Sequence, residues 1–221
     1  MVSVEEWCPG LEEDAYEGAL SAAWSVLAAK DLAVQAKLAG ASLIDGKVRL
    51  RTFGRDAAID PPCRTVTMNG RNVKELGAIL ILHYLANANE SQPTGKTISY
   101  RQLPGGNVHY PAFRARVTED IGTVFHHHPS QLVAAAELIG GRKQEYGDAS
   151  VMIPVFPKLP VTVIVWRGDD EVRGSANVLF DESAPRFLST EDLAAVGTFL
   201  VSRLLNARAA IVRDTQSINT V

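Results

Sequence analysis

Ser42-Leu43-Ile44-Asp45-Gly46-Lys47-Val48-Arg49-Leu50-Arg51-Thr52-Phe53 is the stretch on which the fold turns. Asp-Gly lies between two runs of β-prone residues, and Val48, Leu50 and Thr52 alternate with Lys47, Arg49 and Arg51. That is the pattern of a β-hairpin with one buried face, because strand side chains point alternately to opposite sides. A further turn at Gly54-Arg55-Asp56 leads to a short strand before Pro61-Pro62, and another strand covers Arg64 to Met68, which extends the hairpin into an antiparallel meander.

Upstream the period is helical. Leu20, Ala23, Trp24 and Leu27 share one face of a helix from Leu11 to Leu27, with Glu12, Glu13 and Asp14 in the first turn, where the helix dipole favours acid. Asp31 caps a second helix that stops at Gly40. Downstream, Asn72 and Glu75 have capping-box spacing and open a helix through Leu76, Ile79, Leu80, Leu82 and Leu85 that is apolar nearly all round.

After the polar loop Gln92-Pro93-Thr94-Gly95, a strand from Thr97 to Tyr100 runs into Leu103-Pro104-Gly105-Gly106-Asn107. Pro111 then suits the first position of a helix with Phe113, Val117, Ile121 and Phe125 as its buried stripe. A further helix runs from Pro129 to Gly140. Strands return at 150–156, 161–166 and 176–180, of which Val161 to Trp166 is apolar on both faces and belongs at a sheet centre. Ser189 or Thr190 caps the last helix, with Leu193, Val196, Leu200 and Leu204 as its stripe.

Two groups of hairpin-connected strands separated by helices define an α+β chain with antiparallel sheet packed against several helices, not an alternating parallel α/β fold. Its 221 residues, 46% hydrophobic and 21% charged, suit a single compact domain over 1–206. The polar end from 207 to 221 has little to bury and is expected to fray.

The formal net charge of −3 offers no basic excess for nucleic acid. The acidic start and the lack of an apolar stretch long enough to span a bilayer point to a cytoplasmic protein without a membrane partner. Cys8 and Cys63 cannot supply a four-cysteine cluster and stand in no nucleophile motif. No Walker spacing, Gly-x-Gly-x-x-Gly, Gly-x-Ser-x-Gly or His-Glu-x-x-His is present.

The candidate ligand-binding stretch is Tyr100 to Tyr110. Gly105 and Gly106 permit close backbone approach, the start of the following helix favours an anion, and Arg101 and Arg114 would add charge-assisted hydrogen bonds, with His109 and Tyr110 alongside. The plainer reading is a tight loop whose arginines pair with Glu119 or Asp120. His83, inside an apolar helix face, is either a hydrogen-bonded core group or an axial ligand facing a tetrapyrrole such as a corrinoid or haem.

His126-His127-His128 reads as a solvated helix end, with metal binding as the alternative. Asp169, Asp170 and Glu171 read as a hairpin tip or a cation site. Asp181 and Glu182 are either a strand end or an acid–base pair, though adjacent strand residues face opposite ways.

Leu82-His83-Tyr84-Leu85, Ile98-Ser99-Tyr100-Arg101-Gln102-Leu103-Pro104-Gly105-Gly106, Tyr110-Pro111-Ala112-Phe113-Arg114, Pro160-Val161-Thr162-Val163 and Trp166-Arg167-Gly168-Asp169 occur in one order. Val178 to Pro185 and Leu188 to Leu193 follow. Together they resemble domain-of-unknown-function family 3786, found largely in anaerobic bacteria and archaea. The resemblance extends from about Asp31 to Leu204.

Some similar proteins carry an appended four-cysteine iron–sulfur domain. The resemblance therefore implies anaerobic redox or one-carbon metabolism, although this chain lacks that module. The leading expectation is a non-catalytic small-molecule or cofactor-binding accessory protein, with a small-molecule ligand or a redox or one-carbon partner protein. Its pocket would be formed by His83, Tyr100, Arg101, Gly105, Gly106, His109, Tyr110 and Arg114. The alternatives are an enzyme that holds a small anionic substrate with Arg101 and Arg114 while His109 or His83 moves a proton, and a partner subunit that docks through an exposed face bearing Trp24 and Leu27.

Overall fold

Asp45 and Gly46 both take positive φ, 50° and 74°, and form the tight turn between β1 (Ser42–Ile44) and β2 (Lys47–Thr52). A turn of that hand matches the right-handed twist of the strands, so Ser42 faces Arg49 and Ile44 faces Lys47. The same device recurs at Phe53-Gly54, before β3 (Arg55–Asp60), and at Asn69-Gly70, between β4 (Thr65–Met68) and β5 (Arg71–Asn72). These strands form one antiparallel sheet in the order β1-β2-β3-β4-β5.

The structure, a computed structural model, describes residues 13–168 and 174–218. They fall into two compact units, residues 13–50 with 56–90 and residues 51–55 with 91–168 and 174–218. Cys8 and the acid cluster Asp169, Asp170 and Glu171 lie outside the described residues. The chain is α+β with two antiparallel sheets, as its strand grouping implies.

In the first unit, α3 (Glu75–Ala86) buries residues on every face, among them Ile79, Leu80, Leu82, Tyr84 and Leu85. A helix apolar all round must be covered. α1 (Glu13–Ala28) packs on it, and the Tyr84 hydroxyl donates to the carbonyl of Ala39 at 3.0 Å, just past α2 (Leu32–Leu38). Trp24 and Leu27 are 5% and 2% exposed, so they are core residues and not the exposed docking face expected from the sequence.

Asp31 caps α2 as expected, accepting from the N–H groups of Ala33 and Val34. The Asn72 capping box does not form. Asn72 pairs with Thr67 as part of β5, and α3 starts after Lys74, which makes no side-chain cap.

The second unit carries the sheet β6-β10-β9-β8-β7, made of β6 (Thr97–Ser99), β7 (Arg142–Gln144), β8 (Ala149–Phe156), β9 (Leu159–Trp166) and β10 (Ser175–Asp181). β9 is the centre, as its two apolar faces require. Pro154 faces Pro160, and the register slips between Pro154 and Phe156, because proline has no N–H for the ladder. The edge strand β7, Arg-Lys-Gln, carries no strand signature in sequence, and its charges suit an edge.

Phe53 belongs to this unit. Its N–H donates to the carbonyl of Val155, its ring lies against Phe156 and Phe199, and its carbonyl accepts from the Arg203 guanidinium. Burial holds that guanidinium down at a pKa of about 10, with Arg55 adding to the effect.

The helices are α4 (Gly106–Phe113), α5 (Glu119–Phe125), α6 (Pro129–Glu137) and α7 (Thr190–Ile218), with a π-helical turn over Arg114–Thr118. Pro111 therefore lies inside α4 and does not open a helix. The left-handed Gly105 starts the helix earlier, and the ring of Pro111 precedes the irregular turn where the regular bonding pattern is lost.

α7 continues past Asn206 to Ile218, and its buried stripe runs from Leu193 through Leu204 to Ala207. By length and composition its Thr190–Arg213 span would cross a bilayer, contrary to the expectation that no stretch is long enough. Its buried stripe packs on α6, and 33% of the apolar stretch is buried.

Candidate functional site

Tyr100 opens the Gly-Gly loop from inside the core. It is 1% exposed and stacks on Phe113 with ring centroids 4.1 Å apart and planes 7° from parallel. Its hydroxyl donates to the Thr190 carbonyl at 3.2 Å, while the Thr190 hydroxyl donates to the Pro104 carbonyl at 2.7 Å. Burial, reinforced by Glu191, pushes the Tyr100 phenol up from its ordinary value. The phenol thus stays neutral and ties the loop to the start of α7.

The two glycines have different jobs. Gly105 has φ +71°, and a Cβ there would meet nothing within 4 Å. A Cβ on Gly106 would lie 1.9 Å from the Tyr100 carbonyl oxygen. The Gly106 N–H donates to the carbonyl of Leu103 at 2.9 Å, and the Val108 N–H to that of Gly105 at 3.2 Å. Part of the donor set that would greet an anion at the start of α4 is spent inside the loop.

The Arg101 guanidinium sits 4.0 Å above the Tyr110 ring, a cation–π contact. Arg114 pairs with Glu119 at 2.9 Å, and His109 is exposed on α4. Both partners of the Arg114 pair are more than half exposed. Arg114→Ala is accordingly expected to change unfolding free energy by less than about 1 kcal/mol, read from the urea midpoint.

Seven of the eight expected site residues, Tyr100 to Arg114, lie in this one stretch of the second unit. His83 belongs to the first unit, where it is half-buried on α3 and already engaged.

In the histidine run, the His126 ring lies against His127 with centroids 3.7 Å apart and planes tilted by 40°, and it sits close over Gly174. The His126 Nδ1 is buried without a hydrogen-bond partner. No group of three His, Cys, Asp or Glu able to hold a metal occurs among the described residues.

Asp181 ends β10 and Glu182 begins the turn after it, and the two carboxylates go to different partners. Glu182 is exposed and pairs with Lys96 at 2.8 Å, whereas Asp181 is 2% exposed. The Asp181 carboxylate accepts from the N–H groups of Thr94, Gly95 and Ser183 and from the hydroxyls of Thr94 and Ser183. It is a loop anchor.

A cleft of about 200 Å³ lies wholly within the first unit. Trp24, Leu27 and Ala28 from α1, Leu32 from α2 and Pro61 from the β3–β4 turn make its apolar wall; Lys30 and Arg64 also line it. Neither cation makes a side-chain ion pair among the described residues. The Arg64 backbone is left-handed, φ 49°, in the turn closed by its N–H to the Pro61 carbonyl at 3.1 Å.

Sequence reasoning missed this cleft. Lys30 and Arg64 are far apart along the chain and each looks like a solvated turn residue. Only the Pro61-Pro62 break before Arg64 hints at an unusual backbone.

Fold and sites together define an α+β protein whose Gly-Gly loop is tied to the start of α7 and whose first unit holds an apolar cleft lined by two cations that make no side-chain ion pair among the described residues. Residues 31–203 match the family described as "Domain of unknown function (DUF3786)", and the chain belongs to that family. No curated protein and no solved structure matches it.

Proposed function

We propose that the chain is a non-catalytic binding protein that holds a small ligand in the cleft of the first unit, as an accessory to anaerobic redox or one-carbon metabolism. The observation that carries this reading is the cleft itself, whose walls come from two helices and a turn. The metabolic setting is what the family resemblance implies.

Binding is favoured over catalysis because Arg101 and Arg114 are held by Tyr110 and Glu119, and the Asp181 carboxylate is saturated by its own loop. Pockets that enclose drug-sized ligands measure about 300–1,000 Å³. At about 200 Å³ the cleft suits a smaller molecule, and it does not fit a corrinoid or haem.

Titration with 3-phenylpropanol, followed by intrinsic tryptophan emission, tests the reading. A saturable change is expected in the wild-type protein, because Trp24 lines the cleft. Ala28→Trp, which places an indole in the opening from an exposed position, is expected to abolish saturation while leaving thermal stability within a few degrees. Absence of a saturable response, or its survival in Ala28→Trp, would rule out the cleft as the site.

A further inference from the structure

We propose that the cleft selects a small carboxylate with an apolar body, its charged head held by Lys30 and Arg64 and its body laid on Trp24, Leu27 and Pro61; this rests on the binding reading above. The walls favour an apolar group by excluding water. The two cations decide the head. Both line the cleft, and both lack a carboxylate partner among the described residues.

Elsewhere in this unit a lysine beside a strand acid does pair, as Lys47 does with Asp60 at 2.8 Å. Lys30 and Arg64 are thus positive charges in search of a negative one, next to a surface that water does not favour. A fork-shaped guanidinium also matches a carboxylate with two parallel hydrogen bonds.

Size narrows the choice further. One water occupies about 30 Å³ in the liquid, so a cleft of about 200 Å³ holds the volume of about seven waters. That suits a short branched acid or the inner part of an arylalkanoate, not a nucleotide.

Arg64 adds a second argument. A left-handed backbone costs a side-chain-bearing residue free energy that glycine does not lose. At the three hairpin turns the left-handed residues are followed directly by glycine, and Phe53 among them is buried by its ring. The Arg64 side chain is exposed and gains no core packing, so its presence in a strained position fits a role at the cleft. Arg64→Gly therefore separates binding from folding: it is expected to keep or raise the melting temperature while weakening carboxylate binding.

The experiment is isothermal titration of the full chain with 3-phenylpropionate and with its neutral isostere 3-phenylpropionamide, at low and at high sodium chloride. At low salt the carboxylate is expected to bind about tenfold more tightly, the difference that charge-assisted hydrogen bonds supply. High salt should shrink the ratio, because charges at an open cleft are screened. Arg64→Gly and Lys30→Gln should each reduce it, and together should bring it to about one.

Equal affinity for acid and amide, or a preference that survives both substitutions, overturns the carboxylate assignment while leaving the cleft as a binding site. If acid, amide and 3-phenylpropanol all fail to bind, the binding reading falls with it.

Discussion

Gly106→Ala is expected to destabilise the protein by about 3 kcal/mol or more, whereas Gly105→Ala one position earlier should cost only about 1 kcal/mol. The added Cβ at Gly106 would stand 1.9 Å from a backbone oxygen, that of Tyr100, and a backbone atom cannot swing aside as a side-chain tip can. Tyr100 is itself fixed by its stack on Phe113 and its bond to Thr190, so relief would have to break the core.

At Gly105 the added methyl meets open space, and only the left-handed backbone, φ +71°, is penalised. Urea unfolding monitored by far-ultraviolet circular dichroism measures both. Similar midpoints for the two variants would refute the packing of the loop and return the Gly-Gly pair to the list of candidate ligand cradles.

That contrast marks the limit of what the sequence could convey. Gly105-Gly106 reads equally as a turn and as a ligand approach, because both need a missing Cβ; only the position of the Tyr100 carbonyl separates them. The Asp45-Gly46 hairpin was legible since Asp-Gly is the chemistry that its turn demands. The next turn was legible from Gly54, but the part played in it by Phe53 was not. A phenylalanine at positive φ has no local rationale, and its reason, burial against Phe156 and Phe199, is non-local.

The same holds for Asn72, where a sound local cap signal lost to strand pairing with Thr67. β9 could be placed at the sheet centre because a strand apolar on both faces has no edge position that would satisfy it. Among charged groups, local sequence is a poor guide. Arg114 found the acid expected for it, Glu119, yet nothing along the chain joins Lys30 to Arg64, and nothing local distinguishes Asp181, at the end of β10, from Glu182 in the turn beyond it.

Asp181 carries the second large effect. Its carboxylate gathers the N–H groups of Gly95 at 2.7 Å, Ser183 at 2.9 Å and Thr94 at 3.1 Å, together with the Ser183 hydroxyl at 2.6 Å. It thereby holds the loop 92–96 against the end of β10. Asp181→Ala strands several of these donors away from water, and each buried donor left unpaired costs about 1–3 kcal/mol. Some will reach solvent as the loop relaxes, so the expected loss is about 3 kcal/mol. Asp181→Asn is nearly isosteric but turns an NH₂ toward donors, and should cost about 2 kcal/mol.

The pH dependence follows from the same contacts. Burial alone would raise the Asp181 carboxyl, but the Ser183 hydroxyl and the N–H groups of Ser183, Thr94 and Gly95 outweigh it and hold it below its ordinary 3.8. A lowered folded-state pKa means that the unfolded chain takes up the proton first as pH falls. The stabilisation is therefore fully present above 3.8 and is lost as pH drops through the folded value.

Wild-type protein and Asp181→Asn should accordingly differ most near neutral pH and converge in strong acid, compared by urea midpoints at matched ionic strength. A gap that stays constant across that range would mean that Asp181 does not titrate as an ionised anchor. The loop would then have to be held by neutral hydrogen bonds alone.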